Sequence, residues 1–456
     1  MTKGTAKQNK KFSKKLSSLT IQNPNAAGID VGSKEQWVAV RPDHPGTSIR
    51  CFQSFTRDLN ELADWLVDCN VDTVAMESTG VYWIPLFQIL EERGFEVLLV
   101  NAHSVKNVSG RKSDESDCEW IRKLHSYGLL QGSFQPEDRI RCLRAYLRDR
   151  DVLTRCCSSH IQRMQKALTQ MNLQLHHVIS DITGKTGINI LRAIVNGERD
   201  PKVLATFRDE RIKASEATII KSLEGNYLKE HLSSLKRYLE LYDVYQSQIK
   251  ELDREIEQLL QTFPSTGDFD SFINETKPGK RSKKKSVNAP NFNVEQYVFQ
   301  LTGVDLFVVD GLNSNNLLGI IAETGLDMEK WKSEKHFTSW LRLSPNNKIS
   351  GGKIISNHTQ KTKNRANKLF RLAAQSLARS QSAPGAFYRR LKYRLGAPKA
   401  IIATARKIAV IYYRMIRFKM EYRDIGAEKY EAKYKTDQIK YIEKKAQTLG
   451  FKLVKA

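Results

Sequence analysis

Apolar positions come in strand-length runs in the first quarter of the chain and in helical steps in nearly everything after it. Ala26–Val31 and Trp37–Val40 are apolar runs joined across Gly32-Ser33, the pattern of a β-hairpin. Ile49–Phe55, Val71–Met76 and Phe95–Val100 are three more strand-length runs. Leu59–Val67 and Tyr82–Glu92 instead repeat their apolar residues every three or four positions, as one face of a helix does, and a further helix begins near Asp114. Three strands followed by alternating helices and strands predict an α/β domain on a mixed sheet: a meander continued by crossover units.

The later pattern is helical. Arg139–Met171 reads as one long helix with Leu143, Leu147, Leu153, Ile161, Met164 and Leu168 turned inward. A turn at Asp181–Gly187 precedes a helix over Ile188–Ile194. Between Leu235 and Phe263, residues Tyr242, Tyr245, Ile249, Leu252, Ile256 and Leu259 step by three and four. That is coiled-coil or helical-hairpin spacing, suited to packing within the chain or to a dimer strut. The pattern then lapses from Pro264 to Asn291, a loop containing the charge run Lys277–Lys285. Val294–Phe307, Leu317–Ala322, Phe337–Leu343, Asn364–Ser380, Ala386–Leu395 and Pro398–Met415 follow as apolar helical stretches, with a helical tail over Tyr430–Ala446. The expected division is a basic tail over 1–22, an α/β domain with its basic helix over 23–175, a helical linker and coiled coil over 176–263, a loop over 264–292 and a mostly α-helical domain over 293–456.

Carboxylates interrupt the strand pattern at places that matter. Asp30 sits inside the first apolar run and is costly there unless a partner or a metal ion neutralises it. Glu77 closes the fourth run, and Asp114 and Asp117 stand three apart at a helix start, where both can face the sheet. Four carboxylates converging on one place would suit two divalent ions about 4 Å apart, the arrangement of phosphodiester chemistry. Ser113 as an N-cap, with two acids merely favouring the first helical turn, is the plainer reading of the last pair. In the second domain, Ser350-Gly351-Gly352 combines an exposed hydroxyl with a backbone able to approach a ligand, beside Lys348, Lys353, His358, Lys361, Lys363, Arg365 and Lys368. Taken by itself, a glycine-rich turn in a basic protein is the plainer reading of it.

Charge narrows the partners. Among 456 residues, 74 Lys and Arg against 50 Asp and Glu leave a formal charge of +24, for which a polyanion is the economical partner. No run of about 20 apolar residues exists, so no membrane contact is expected and a soluble, intracellular protein is. The six cysteines form no C-x-x-C pair or zinc spacing and read as reduced structural residues. Along the long helix, Arg139, Arg141, Arg144, Arg148, Arg150, Arg155, Arg163 and Lys166 suit phosphate contact, with internal ion pairs to Asp138, Asp149 and Asp151 as the alternative.

Taken together, G-I-D-V-G-S-K, A-M-E-S-T-G-V-Y-W, R-K-S-D-E-S-D-C, I-T-G-K-T-G-I-N-I-L-R-A-I, W-L-R-L-S-P-N-N-K-I-S-G-G, N-R-A-N-K-L-F-R-L-A-A-Q-S-L and A-Q-T-L-G-F-K-L resemble, in order, the IS110-type insertion-sequence transposases, including the IS1111 branch. The resemblance implies a RuvC/RNase H-like N-terminal domain whose DEDD tetrad falls on Asp30, Glu77, Asp114 and Asp117, and a C-terminal transposase domain whose nucleophilic serine falls on Ser350. It further implies Mg²⁺ at the tetrad, two ions per site with Mn²⁺ able to substitute, and a phosphoserine intermediate at a composite site. The implied partners are donor and target DNA and a structured non-coding bridge RNA, with a homodimer forming a tetramer on DNA, in the cytoplasm at the bacterial nucleoid. The chain departs from the family at its Gly-Ile-Gly turn, having Leu301-Thr302-Gly303-Val304-Asp305 and later Asp310-Gly311-Leu312. Two other functions fit the same residues: a RuvC-type Mg-dependent, structure-specific endonuclease with Ser350 structural, and a non-catalytic nucleic-acid-binding protein.

Overall fold

The computed structural model describes residues 19–456 apart from 44, 102–113, 268–287, 357–358, 360–361, 363, 453 and 455–456, with only the backbone at 114–116. The lysine-rich start of the chain and the Lys277–Lys285 run lie outside the described residues. Contacts group the chain into two units, Met1–Gln135 and Pro136–Ala456.

The first unit runs β1 (Ala26–Val31), β2 (Glu35–Ala39), β3 (Ile49–Gln53), α1 (Thr56–Asp68), β4 (Thr73–Glu77), α2 (Trp83–Glu92), β5 (Glu96–Val100) and α3 (Asp114–Ser126). The sheet order is β3-β2-β1-β4-β5, with β1, β2 and β3 an antiparallel meander and β4 and β5 parallel to β1. This is the expected mixed α/β sheet of the RuvC-like kind. Alternation along the strands divides its two faces. Ala27, Ile29 and Val31 join Val38, Val40 and Phe52 in a core with Leu59, Leu62 and Leu66 of α1 and Leu86 and Leu90 of α2. On the other face, Ala75 and Val100 pack against Ile121 of α3.

Helix α3 lies unusually close to β1. A Cβ added at Gly28 would come 2.2 Å from Arg122 N and 2.4 Å from Cys118 O, so only glycine admits the helix backbone at that point. The far end of α3 is tied down by polar contacts. His125 Nε2 lies 2.9 Å from Thr73 Oγ1, whose hydroxyl proton goes to Glu96 O, so the imidazole is the donor and carries its proton on Nε2. Backbone N–H groups of Gln22 and Asn23 donate to Ser126 O.

The second unit opens with α4 (Asp138–Gln170), four short helices α5 (Leu175–Val178), α6 (Lys185–Val195), α7 (Pro201–Ala205) and α8 (Glu216–Leu223), and α9 (Lys229–Gln261). Arg139 meets Thr262, Arg150 meets Asp253, and His160 stacks on Tyr245; the partner number falls as the α4 number rises, so α4 and α9 form an antiparallel hairpin. The three-and-four spacing of α9 thus serves packing within the chain. The short helices fill the turn of this hairpin around Leu168, Leu191, Leu204 and Leu223.

The remainder runs α10 (Val294–Thr302), α11 (Leu317–Thr324), α12 (Glu334–Trp340), β6 (Lys348–Ser350), β7 (Lys353–Ser356), α13 (Arg365–Ser376), α14 (Ala383–Leu395), α15 (Ala397–Phe418) and α16 (Gly426–Thr448). Stretch Val294–Phe307 is not one helix: Gly303 at φ 66° caps α10, and a 3-10 turn follows at Leu306–Val308. Phe337, Phe370, Tyr412 and Tyr413 are fully buried together, with Tyr413 donating to Trp331 O at 2.8 Å. Among the described residues no helix is long and apolar enough to cross a membrane.

Candidate functional site

Strand pairing decides where the acids go. Ile29 of β1 pairs with Met76 of β4 in parallel register, and one residue beyond each lie Asp30 and Glu77. Asp30 follows Gly28 by two, and Glu77 follows Ala75 by two, so both belong to the face that α3 covers. Glu77 is only 7% exposed and accepts a hydrogen bond from Thr79 Oγ1 at 3.1 Å. Asp30 is half-buried.

Helix α3 carries the next two acids. Asp117 is half-buried one position before Cys118, whose carbonyl is at Gly28. Burial pushes the Cys118 thiol up to about 12, and the charge on Asp30 adds to that rise, which places the helix within electrostatic reach of the strand acid. Asp114 lies in the first turn of α3, and its side chain is outside the described residues. Among the described residues no group of three metal-ligating side chains comes together. The donor set is all carboxylate, the kind that hard divalent cations take, and Asp30 and Glu77 are neighbours on one face, so these residues suit such an ion. Trp37 pairs with Asp30 from β2, and its buried Nε1 has no hydrogen-bond partner among the described residues. Nothing in the sequence pattern sets this indole apart from the other residues of its run.

Ser350 has a different setting. It ends β6, pairs with Lys353 of β7, and is joined to it by Gly351 at φ 55° and Gly352 at φ 75°. Two consecutive left-handed residues make the tightest hairpin turn, which explains both glycines. A Cβ at either would meet nothing within 4 Å, and Ser350, Lys348 and Lys353 are all exposed. His358, Lys361 and Lys363 lie outside the described residues.

Many of the arginines along α4 have partners inside the second unit. Arg139 donates to Thr262 O at 2.8 Å, Arg141 pairs with Asp138, and Arg144 donates to Ala322 O at 2.9 Å. Arg148 holds both carboxylate oxygens of Glu323, Arg150 meets the buried Asp253, and Arg155 meets Asp151. Arg163 lies over the Tyr238 ring, and Arg365 reaches Asp151 at 2.6 Å. A phosphate contact at these positions competes with those bonds.

The clearest basic region is elsewhere. Between Glu334 and Glu421 the chain has no Asp or Glu and twenty Lys and Arg. That stretch contains the Ser350 hairpin and α13, whose exposed Lys368 and Arg371 stand three apart on the helix, with exposed Arg379 in the 3-10 turn that follows it. An overall charge of +24 conceals this concentration.

Two family models match the chain: one for DEDD transposases of the IS110 type, described as "Transposase", over residues 27–173, and one described as "Transposase IS116/IS110/IS902 family" over residues 306–389. The first span includes Asp30, Glu77, Asp114 and Asp117, and the second includes Ser350. No curated protein matches the chain.

Proposed function

The chain belongs to the IS110 family of insertion-sequence transposases, DNA-recombining enzymes with a divalent-metal-dependent DEDD domain, and on that premise we propose that it cleaves and rejoins donor and target DNA through a phosphoserine at Ser350, guided by a structured non-coding RNA. The observation that carries this reading is the presentation of Ser350: an exposed hydroxyl on a two-glycine turn, flanked by lysines, in a stretch free of carboxylates. A carboxylate beside a phosphodiester would repel it, and this surface has none in its own sequence.

In the proposed reaction the Oγ–P bond forms as Ser350 loses its proton, and the P–O bond to the departing strand breaks, leaving that strand a hydroxyl. Attack by the hydroxyl of the new partner strand reverses the exchange and frees the serine. The bond energy stays in the phosphoserine, so rejoining needs no ATP. A serine hydroxyl is weak at neutral pH and needs activation. Two Mg²⁺ ions, held by Asp30, Glu77, Asp114 and Asp117, would supply it and stabilise charge on the scissile phosphate. Lys348 and Lys353 hold the strand by its backbone, while base pairing with the RNA selects the sequence. A homodimer that assembles into a tetramer on DNA, at the bacterial nucleoid, completes the reading.

The test is incubation with element-end DNA, Mg²⁺ and the flanking non-coding RNA, read on a denaturing gel for a protein–DNA adduct. An adduct that Ser350→Ala abolishes supports the reading. Undiminished Mg²⁺-dependent cleavage by Ser350→Ala would make the protein a hydrolytic endonuclease. Sequencing co-purified RNA tests guidance, and a random population counts against a dedicated guide.

A further inference from the structure

The β6–β7 ribbon has more apolar surface than a turn needs. Ile349 faces Ile354 across it, and Ser350 faces Lys353, so isoleucines occupy one face and the serine and lysine the other. The register shifts between Lys348 and Ile349, which leaves Ile355 as an extra residue on β7. Ile349, Ile354 and Ile355 are 62, 59 and 70% exposed. Single exposed aliphatics are ordinary, but three on one short ribbon form a contiguous patch. A two-stranded hairpin is also marginal in water by itself. Among the described residues the ribbon is therefore short of a packing partner.

Charge points to what that partner is. Lys348 and Lys353 are exposed on the ribbon, and no carboxylate lies between Glu334 and Glu421. An occupant that is both polyanionic and apolar on its inner surface is nucleic acid, whose base faces accept aliphatic wedges between partly unstacked steps. We propose that this ribbon enters the DNA duplex beside the scissile phosphate, with Ile349 and Ile354 against base faces and Ser350 at the turn facing the backbone. Opening a step there frees a strand for exchange and holds the phosphate against the hydroxyl. This deepens the reading of Ser350 as nucleophile and rests on it.

The experiment uses the full chain with guide RNA and a duplex carrying 2-aminopurine next to the cleavage position. In a Ser350→Ala background no chemistry occurs, so fluorescence reports unstacking alone. The expected result is a rise on binding that disappears when Ile349→Thr and Ile354→Thr are added; threonine keeps the branched Cβ that strands favour. With Ser350 present, the Thr pair should slow adduct formation about tenfold or more, because the apolar wedge that offsets the cost of unstacking a base step is lost. Ile349→Val with Ile354→Val should restore it to within about twofold. An undiminished fluorescence rise in the Thr variants overturns the proposal while leaving the adduct, and hence the Ser350 reading, intact. A change in sedimentation of the DNA-free protein on introducing the Thr pair also overturns it, assigning the ribbon to a second copy. Loss of the Ser350 reading alone would appear as cleavage that survives Ser350→Ala.

Discussion

The acids of the first unit and the serine of the second are presented in opposite ways. Asp30 and Glu77 stand on adjacent strands of a five-stranded sheet, under a helix whose backbone touches the strand at Gly28. Ser350 stands on a two-stranded ribbon with every residue from Lys348 to Ile355 exposed. In the proposed role as metal ligands, the acids must hold their geometry before the ion arrives, and a sheet interior gives them that. A nucleophile that transfers a strand has to reach its phosphate and release it, which an open turn permits. On the proposed roles, the contrast teaches that rigidity is invested where charge is gathered and withheld where a bond is exchanged.

The sharpest way to break this comparison is at its two chemical ends. Ser350→Ala should remove the covalent adduct by about 10⁴-fold or more, as deleting a nucleophile does elsewhere, with thermal stability unchanged because the side chain is exposed. Asp30→Asn should lower metal-dependent adduct formation on the order of 10³-fold, the upper range for losing one electrostatic stabiliser. Calorimetry and a denaturing gel read both. A wild-type adduct level in Asp30→Asn would leave the sheet acids with only a folding role.

Glycines sharpen the same contrast, since they serve opposite needs in the two regions. At Gly28 the need is room: the 2.2 Å approach to Arg122 N involves backbone, which cannot swing aside. Gly28→Ala should cost about 3 kcal/mol in urea unfolding, at the severe end of overpacking, and should depress activity by moving Asp117. At Gly351 the need is a left-handed backbone with open space around it. Gly351→Ala should cost only roughly 1 kcal/mol, leaving global unfolding nearly unchanged while slowing adduct formation. Equal effects from the two substitutions would erase the distinction between a braced and an open site.

The sheet was more legible in the sequence than the second unit, for a physical reason. A strand writes its environment into every second residue, so Asp30 in an apolar run and Glu77 at a run's end could be read locally. Helical spacing in α4 identifies an inward face and the local pairs Arg141–Asp138 and Arg155–Asp151, but not the distant partners of the other arginines. Arg148 is held by Glu323 and Arg365 by Asp151, partners far away in sequence that no periodicity announces. The open ribbon was equally hidden, because Ser-Gly-Gly marks a turn without saying whether the flanking isoleucines are covered. The carboxylate gap from Glu334 to Glu421 is written in the sequence, but only when charge is followed by position and not summed.

The smallest expected effect concerns how firmly α3 is fastened. Thr73→Val would leave His125 Nε2–H without its acceptor in a buried site, at a cost of about 1 kcal/mol at pH 7.5. Burial lowers the His125 pKa below its ordinary 6.5, so the folded protein holds the ring neutral while the unfolded chain protonates it first. This stability is present above pH 6.5 and is lost as pH falls through the depressed folded value. Unfolding free energy should therefore decline on acidification below pH 6.5, and His125→Gln should flatten that part of the profile. No counterpart is expected for the ribbon: Ser350→Ala should retain the wild-type pH profile of stability. A ribbon substitution that reshaped the profile would mean that Ser350 is braced by the fold as the acids are.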